Sequence, residues 1–444
     1  MAEPEAAESA LATADDDSRP ASLRQRTLED GPGGPDGEVS AGISSAAAAI
    51  SPTGATAAGS AARPAAAIAT RLPLEAYGAA LASLPGMGPA RLTALARSWP
   101  LAEAWDRVLA DSTTESPAVV QALGVDATSL PARWASTARR IDPGERLDAH
   151  QQAGIGISVL GAASYPPSLA GDVEPPVVLF HRGRPDVLPG PRVAIIGTRR
   201  CTRYGRDVAR AMGHDLAAAG VRVVSGLALG IDGCAHEGAL AADAAPPVAV
   251  VGSGLDVIYP RRHAELWQRV EAVGVVLTEG PLGARPEKWR FPSRNRLLAA
   301  LADVVVVVES HAKGGSMYTV DEALARDVTV MAVPGPVHSP ASRGCNQLLV
   351  DSMAVARDAA DVLSLLGLST PAVTRGGADD RPAPSPSEKM VLEAFAWQPA
   401  ALEQLAARTG HSLGDLAEAL LRLEVSGWIS GNGGWYERVA RPDR

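Results

Sequence analysis

The chain has 444 residues, 46% hydrophobic and 20% charged, the composition of a globular protein with two to four domains and ample core material. No run of 18 apolar residues marks a membrane span, and the acidic start (Glu3, Glu5, Glu8) lacks the basic and apolar regions of a secretory signal. The three scattered cysteines, Cys201, Cys234 and Cys345, form no CxxC, which argues against a zinc site or a disulfide framework and for a reducing cytoplasm.

A net charge of −9 argues at first against nucleic acid, but the distribution weakens the objection. Residues 1–70 hold ten acids and four arginines, so they carry −6 and the other 374 residues only −3. Lys occurs only at 288, 313 and 389, which makes 38 of the 41 basic side chains Arg. Arg suits bidentate phosphate contact and stacking.

Residues 1–70 are Ala, Gly, Pro, Ser and Asp without hydrophobic periodicity and read as a disordered tail. Residues 71–150 have short helical spacing (Leu81, Leu84, Leu92, Leu95, Trp99) and read as a helical domain. Within it, Leu84-Pro-Gly86-Met-Gly88-Pro-Ala90-Arg91 matches the hairpin of a helix-hairpin-helix and equally a plain turn between two helices.

From 151 to 368 strands and helices alternate. Apolar runs at Arg192–Gly197, Val221–Gly226, Pro247–Gly252, Val275–Thr278, Val304–Glu309 and Thr329–Pro334 predict strands, with helices at Tyr204–Ala219 and Ala264–Val273. Such runs joined by helices imply an α/β fold, a doubly wound and mostly parallel sheet with ligands at the carboxyl ends of its strands. Residues 369–386 read as a linker. Residues 387–444 predict helices at Glu388–Ala396, Ala400–Thr409 and Ser412–Val425, then a hairpin around Asn432-Gly433-Gly434, together a winged helix. Asp415, Glu418 and Glu424 against Arg422 make its third helix acidic, which favours protein contact or regulation over a DNA groove.

Three stretches carry candidate chemistry. Gly197-Thr198-Arg199-Arg200 follows the first Rossmann strand without the further glycines of a dinucleotide fingerprint. It reads as an anion site of turn N–H groups, a helix N-terminus and guanidinium groups, or as a loop with solvated arginines. Lys313-Gly314-Gly315-Ser316 is a second such turn, with Ser316 placed to cap the next helix. Lys288-Trp289-Arg290-Phe291-Pro292-Ser293-Arg294-Asn295-Arg296 surrounds two aromatics with four cations, in a chain with only three Phe. Cations track a phosphate backbone and an aromatic face stacks on any base. The alternative puts the aromatics in the core, but Arg294 and Arg296 cannot both be buried without partners. Asp232 and His236 lie i, i+4 on a helix, too few ligands for a metal site, and no metal or cofactor is expected.

These residues together resemble the DNA-processing protein A family (DprA, also called Smf). The matching elements run in order: Tyr165-Pro166, Pro175-Pro176 to Gly183, Ile195-Ile-Gly197-Thr-Arg199 with Tyr204-Gly205, and Ser225-Gly226-Leu-Ala228-Leu-Gly230-Ile231-Asp232. Ile258-Tyr259-Pro260, Phe291-Pro292-Ser-Arg294-Asn295-Arg296, Pro334-Gly335 and Gly344-Cys-Asn346-Gln347 complete the series across roughly 165–365. Leu229 stands where the family usually has Arg, Gly315 where it has Ser, and Ser352-Met353 where it has Gly-Ala.

The resemblance implies an extended Rossmann-like domain flanked by a helical domain of SAM or helix-hairpin-helix type and a winged helix. It also implies a homodimer that binds single-stranded DNA, loads the RecA recombinase in natural transformation and catalyses nothing. Expected DNA contacts are Gly197, Thr198, Arg199, Ser225, Gly226, Lys288, Phe291, Arg294, Asn295, Lys313, Gly314, Gly315 and Ser316. The rival is a Rossmann-like nucleotide hydrolase of the lysine-decarboxylase-like phosphoribohydrolase type, which Gly314-Gly315 and Glu322 imitate without its full glycine signature.

Overall fold

The computed structural model describes residues 72–369, 381–395 and 398–439. The expected tail (1–70) and residues 370–380 of the expected linker lie outside the described residues. Six short helices come first: α1 (Leu74–Ala82), α2 (Pro89–Ser98), α3 (Leu101–Leu109), α4 (Pro117–Leu123), α5 (Leu130–Ala138) and α6 (Pro143–Gln152). Pro occupies the first turn of α2, α4, α5 and α6, where its missing N–H costs nothing. The apolar residues of these helices (Leu81, Leu95, Trp105, Trp134) share one core with Phe180, Trp267 and Val276 of the following sheet and helix layer. The helical segment is therefore built onto the sheet.

That sheet has nine strands: β1 (Gly156–Val159), β2 (Val178–Gly183), β3 (Arg192–Ile196), β4 (Arg222–Ser225), β5 (Val248–Val250), β6 (Val275–Thr278), β7 (Val304–Val307), β8 (Thr329–Ala332) and β9 (Ala354–Val355). Their spatial order is β1-β2-β6-β5-β4-β3-β7-β8-β9. From β6 to β9 every pairing is parallel, whereas β2 runs antiparallel to both β6 and β1. The connecting helices are α7 (Pro167–Ala170), α8 (Arg203–Ala218), α9 (Ile231–Ala241), α10 (Ala264–Val273), α11 (Arg290–Leu301), α12 (Met317–Leu324), α13 (Arg343–Val350) and α14 (Ala359–Leu365). They cover both faces, so the central strands read as unbroken apolar runs. The four valines of β7 are fully buried, each worth about 1.5–3 kcal/mol relative to exposure.

All six predicted strands form: Val275–Thr278 has the predicted bounds, and the other five are shorter by one to three residues, mostly where their carboxyl ends pass into turns. The antiparallel β1–β2 edge and the two-residue β9 were not predicted. Ser352, at the position of an expected glycine, has φ 68°, a left-handed conformation that costs a non-glycine residue roughly 1–2 kcal/mol.

The C-terminal unit is a winged helix with its own core of Val391, Leu392, Phe395, Leu405, Leu416, Leu420 and Leu423. It contains α15 (Pro386–Ala394), β10 (Ala400–Ala401), α16 (Leu402–Thr409), α17 (Leu413–Val425), β11 (Ile429–Asn432) and β12 (Trp435–Arg438). β10 adds a third strand to the predicted hairpin. Gly433 and Gly434 turn it with φ values of 58° and 83°, the pair of positive values a two-residue hairpin needs.

Candidate nucleic-acid interface

β3 lies between β4 and β7, so the chain leaves it in opposite directions along the sheet. Such a reversal opens a crevice at the carboxyl ends of the strands. The loops after β3, β4 and β5 and the first turn of α11 enclose a cleft of ≈ 90 Å³ there. Its walls include Arg199, Arg200, Gly226, Leu229, Tyr259, Phe291 and Arg294. Of the expected contacts, the structure thus brings Arg199, Gly226, Phe291 and Arg294 together. Arg200 and Tyr259 were not on the expected list, although the paired arginines after Gly197 and the Ile-Tyr-Pro run signalled both.

Arg199 is half-buried, and its guanidinium carbon lies 4.9 Å from the centroid of the Phe291 ring. Tyr259 meets the same ring at 5.7 Å and 48°. Phe291 is half-buried and belongs to none of the hydrophobic cores. Its aromatic body is held at the cleft, which removes the reading that placed it in the core. Leu229 makes part of the wall apolar where the family resemblance led to an arginine.

Arg294 is a correction. It was expected to act on a phosphate through its charge; it lines the cleft but is only 7% exposed and donates through Nη1 to the Val250 carbonyl at 2.5 Å. Burial pushes its pKa down to about 10, against the pull of Asp232 behind it, so it remains cationic at neutral pH. A Cβ on Gly226 would lie 1.9 Å from Arg294 Nη1 and 2.5 Å from Asp232 Oδ2. Only glycine lets the β4 turn pass these two buried side chains. The next residue, Leu227, is held at φ 53°, left-handed strain of a kind that clusters at functional sites.

Three further expectations are corrected by geometry. Ser225 is fully buried, and its hydroxyl donates to the Ile195 carbonyl at 2.6 Å, inside the sheet. The N-terminus of α8 does not offer itself to a phosphate. The buried Glu309 carboxylate already accepts from Thr202 N at 2.8 Å and Thr202 Oγ1 at 2.6 Å, and Thr202 Oγ1 accepts from Gly205 N at 3.2 Å. An incoming anion would meet that carboxylate. Ser316 sits at the N-cap of α12 but makes no side-chain cap, because its hydroxyl donates to Ser310 Oγ at 2.7 Å.

Gly197 and Thr198 form the turn after β3, where Thr198 N donates to the Glu309 carbonyl at 2.7 Å. The turn after β7 carries exposed Lys313 and Gly315, while Gly314 N donates to His311 O at 3.0 Å. Asn295 is buried and reaches this turn through Nδ2 to Gly315 O at 3.4 Å. α11 thus presents Phe291 and Arg294 to the cleft and Asn295 to the β7 turn. Lys288 is exposed just before α11 and makes no ion pair with another described residue. The expected contacts therefore split between the β3–β5 cleft and the neighbouring β7 turn.

His236 is fully buried, with Nε2 3.2 Å from the Val248 carbonyl, and burial pushes its pKa down to about 4. It is a neutral core histidine, and no cluster of metal-ligating side chains occurs among the described residues. Cys201 and Cys234, far apart in sequence, come together in space, and Cys234, with Arg206 assisting, lowers the pKa of the Cys201 thiol against the effect of burial. Both are free thiols.

The described residues thus form a doubly wound α/β sheet with a cationic, aromatic-walled cleft at its switch point, followed by a winged helix. Residues 157–367 match the family described as DNA recombination-mediator protein A, and residues 377–434 match the DprA winged helix domain. Protein Smf of Escherichia coli is 33% identical over 284 residues, covering 62% of this chain and 75% of that protein. Protein Smf of Synechocystis sp. is 29% identical over 394 residues, covering 80% of this chain and 96% of that protein. The crystal structure of DNA processing protein A from Streptococcus pneumoniae superposes with a TM-score of 0.52 at 27% identity, covering 66% of this chain and 96% of that one. The chain belongs to the DNA-processing protein A (DprA/Smf) family.

Proposed function

We propose that the protein binds single-stranded DNA in the β3–β5 cleft and acts as a recombination mediator. In this reading it is a cytoplasmic homodimer that delivers the strand to RecA in DNA processing and natural transformation, and it catalyses no reaction itself. The observation that carries the DNA reading is the Arg199 guanidinium over the Phe291 ring at the mouth of a cleft that also holds Arg200 and Arg294. An unpaired base presents the π-face that Phe291 can stack on, and a base locked in a duplex does not. When a base takes that face, Arg199 turns to the adjoining phosphate. The family's description as a recombination mediator supports the RecA step. Against the hydrolase rival, the Glu322 carboxylate is tied to Arg326 Nη1 at 2.5 Å, an engaged partner rather than a poised base. Release of free base from nucleoside monophosphates would revive that rival.

Phe291→Ala tests the stacking. It is expected to weaken oligonucleotide binding by about 1–3 kcal/mol and to leave the salt dependence unchanged, because no charge is lost. The urea midpoint should stay close to that of the parent, since Phe291 lies outside the cores. Unchanged affinity would remove the aromatic from the site.

The winged helix is expected to contribute little to this affinity. In α17, Arg422 is occupied by Glu388 at 2.8 Å and Glu418 at 2.6 Å, so the helix offers no unpaired cation to a phosphate. Removing residues 370–444 should change single-strand affinity by less than about tenfold, near 1.4 kcal/mol. A larger loss, read by fluorescence anisotropy, would place the wing on DNA.

A further inference from the structure

A second, larger concavity lies on the other side of the ridge formed by residues 288–294. It is a groove of ≈ 1320 Å³ between the α1–α2 turn, α4 and α6 on one side and the Pro281–Arg285 loop and the start of α11 on the other. Arg91, Arg97, Arg146, Arg285, Arg290 and Arg296 line it, against Glu174, Glu287 and Glu322. In a chain of net charge −9, this is a local reversal of sign.

Three of the arginines are neutralised: Arg91 by Asp126 at 2.5 Å, Arg290 by Glu287 at 3.5 Å and Arg296 by Glu279. Arg97, Arg146 and Arg285 make no ion pair with another described residue, and Arg97 and Arg285 are exposed. Of the acids, Glu322 is already held by Arg326. The groove therefore keeps an excess of guanidinium forks, the side chain suited to phosphate oxygens.

The ridge joins the two concavities. Trp289 is 40% exposed on the groove side and packs across Gly88, where a Cβ would lie 3.3 Å from the ring. Arg290 stacks on that indole at 4.4 Å. The start of α11 and the residue before it thus carry Trp289 and Arg290 to the groove and Phe291 and Arg294 to the cleft. The groove wall is anchored: Leu282 N donates to His150 Nε2 at 3.0 Å, and Trp134 Nε1 donates to the Pro85 carbonyl at 2.8 Å.

We infer that the groove is a second subsite for the same nucleic-acid strand: single-stranded DNA leaving the Arg199–Phe291 cleft crosses the ridge at Lys288 and Trp289 and lays its phosphates along Arg97, Arg146 and Arg285. Cations with an aromatic at the crossing are the chemistry of a sequence-tolerant single-strand track. The inference rests on the cleft reading above and extends it to a longer footprint that includes the N-terminal helices.

The test compares two oligothymidylates, one of about 4 and one of about 20 nucleotides, lengths that bracket the footprint of single-strand modules. They are titrated against the full chain and against the triple variant Arg97→Glu/Arg146→Glu/Arg285→Glu. None of the three side chains holds an ion pair, so the urea midpoint should match that of the parent. The variant is expected to lose about tenfold or more on the long strand, with a shallower salt slope by about 0.7 per contact removed, and to keep its affinity for the short one. A variant that binds the long strand as the parent does, or that loses both lengths equally, overturns the groove. A parent protein that binds neither length overturns the cleft, and the groove with it.

Discussion

Arg199→Glu is expected to abolish measurable single-strand binding at moderate salt, a loss of a hundredfold or more, about 2.8 kcal/mol. The reason is local. Arg199 has no ion pair or hydrogen bond among the described residues, and its recorded partner is the Phe291 face. A cation–π contact between half-buried groups contributes about 0.5–2 kcal/mol, so the thermal transition should move little. The substitution places a carboxylate at the mouth of a cleft that already has Asp232 behind it, and the reversed sign repels each phosphate that Arg199 would have met. Differential scanning fluorimetry alongside anisotropy separates the effects: a parallel loss of folding and binding would make Arg199 structural.

Arg294→Ala is expected to have the opposite signature. Its guanidinium is buried near Asp232 and bonded to Val250 O, and removing it takes away the cation that most offsets the buried Asp232 carboxylate. Such losses run to about 3–5 kcal/mol of folding stability. The urea midpoint should therefore fall sharply, and binding should be lost through collapse of the β4 and β5 turns rather than through a missing phosphate contact. An intact midpoint with a flattened salt slope would instead restore Arg294 as a phosphate ligand.

The difference between these two arginines shows how far the sequence could be read. Strand runs such as Val275–Thr278 and the helix Ala264–Val273 are local patterns, and they appear where predicted. The α11 segment was recognisable because cations around scarce aromatics are unusual in any chain. The direction of each side chain was not. Residue types place Phe291, Arg294 and Asn295 in one helical turn, but the helix sends Arg294 inward to Asp232 and Asn295 to the β7 turn. The requirement that buried arginines find partners held for Arg296, which pairs with Glu279; Arg294 donates through Nη1 to the Val250 carbonyl with Asp232 nearby, while its Nε has no partner among the described residues.

The occupied N-terminus of α8 was invisible for another reason. Thr202 and Glu309 are separated by 107 positions, and only the parallel pairing of β3 with β7 brings them together. Other non-local pairings hid the approach of Cys201 to Cys234, which needs β3 beside β4, and the antiparallel β1–β2 edge, whose register no short window encodes. The groove beside the ridge has a similar origin: Arg97 and Arg285 become neighbours only when the N-terminal helices pack on the sheet.

The central claim is that the cleft grips a single strand through phosphate charge and an aromatic face. Its most direct test measures the affinity of the full chain for a labelled oligonucleotide and for the same sequence as a duplex, by anisotropy across a series of salt concentrations. The account predicts tighter binding of the single strand, with log K falling linearly against log salt by about 0.7 for each phosphate held. Equal or tighter binding of the duplex, or an affinity indifferent to salt, would contradict it.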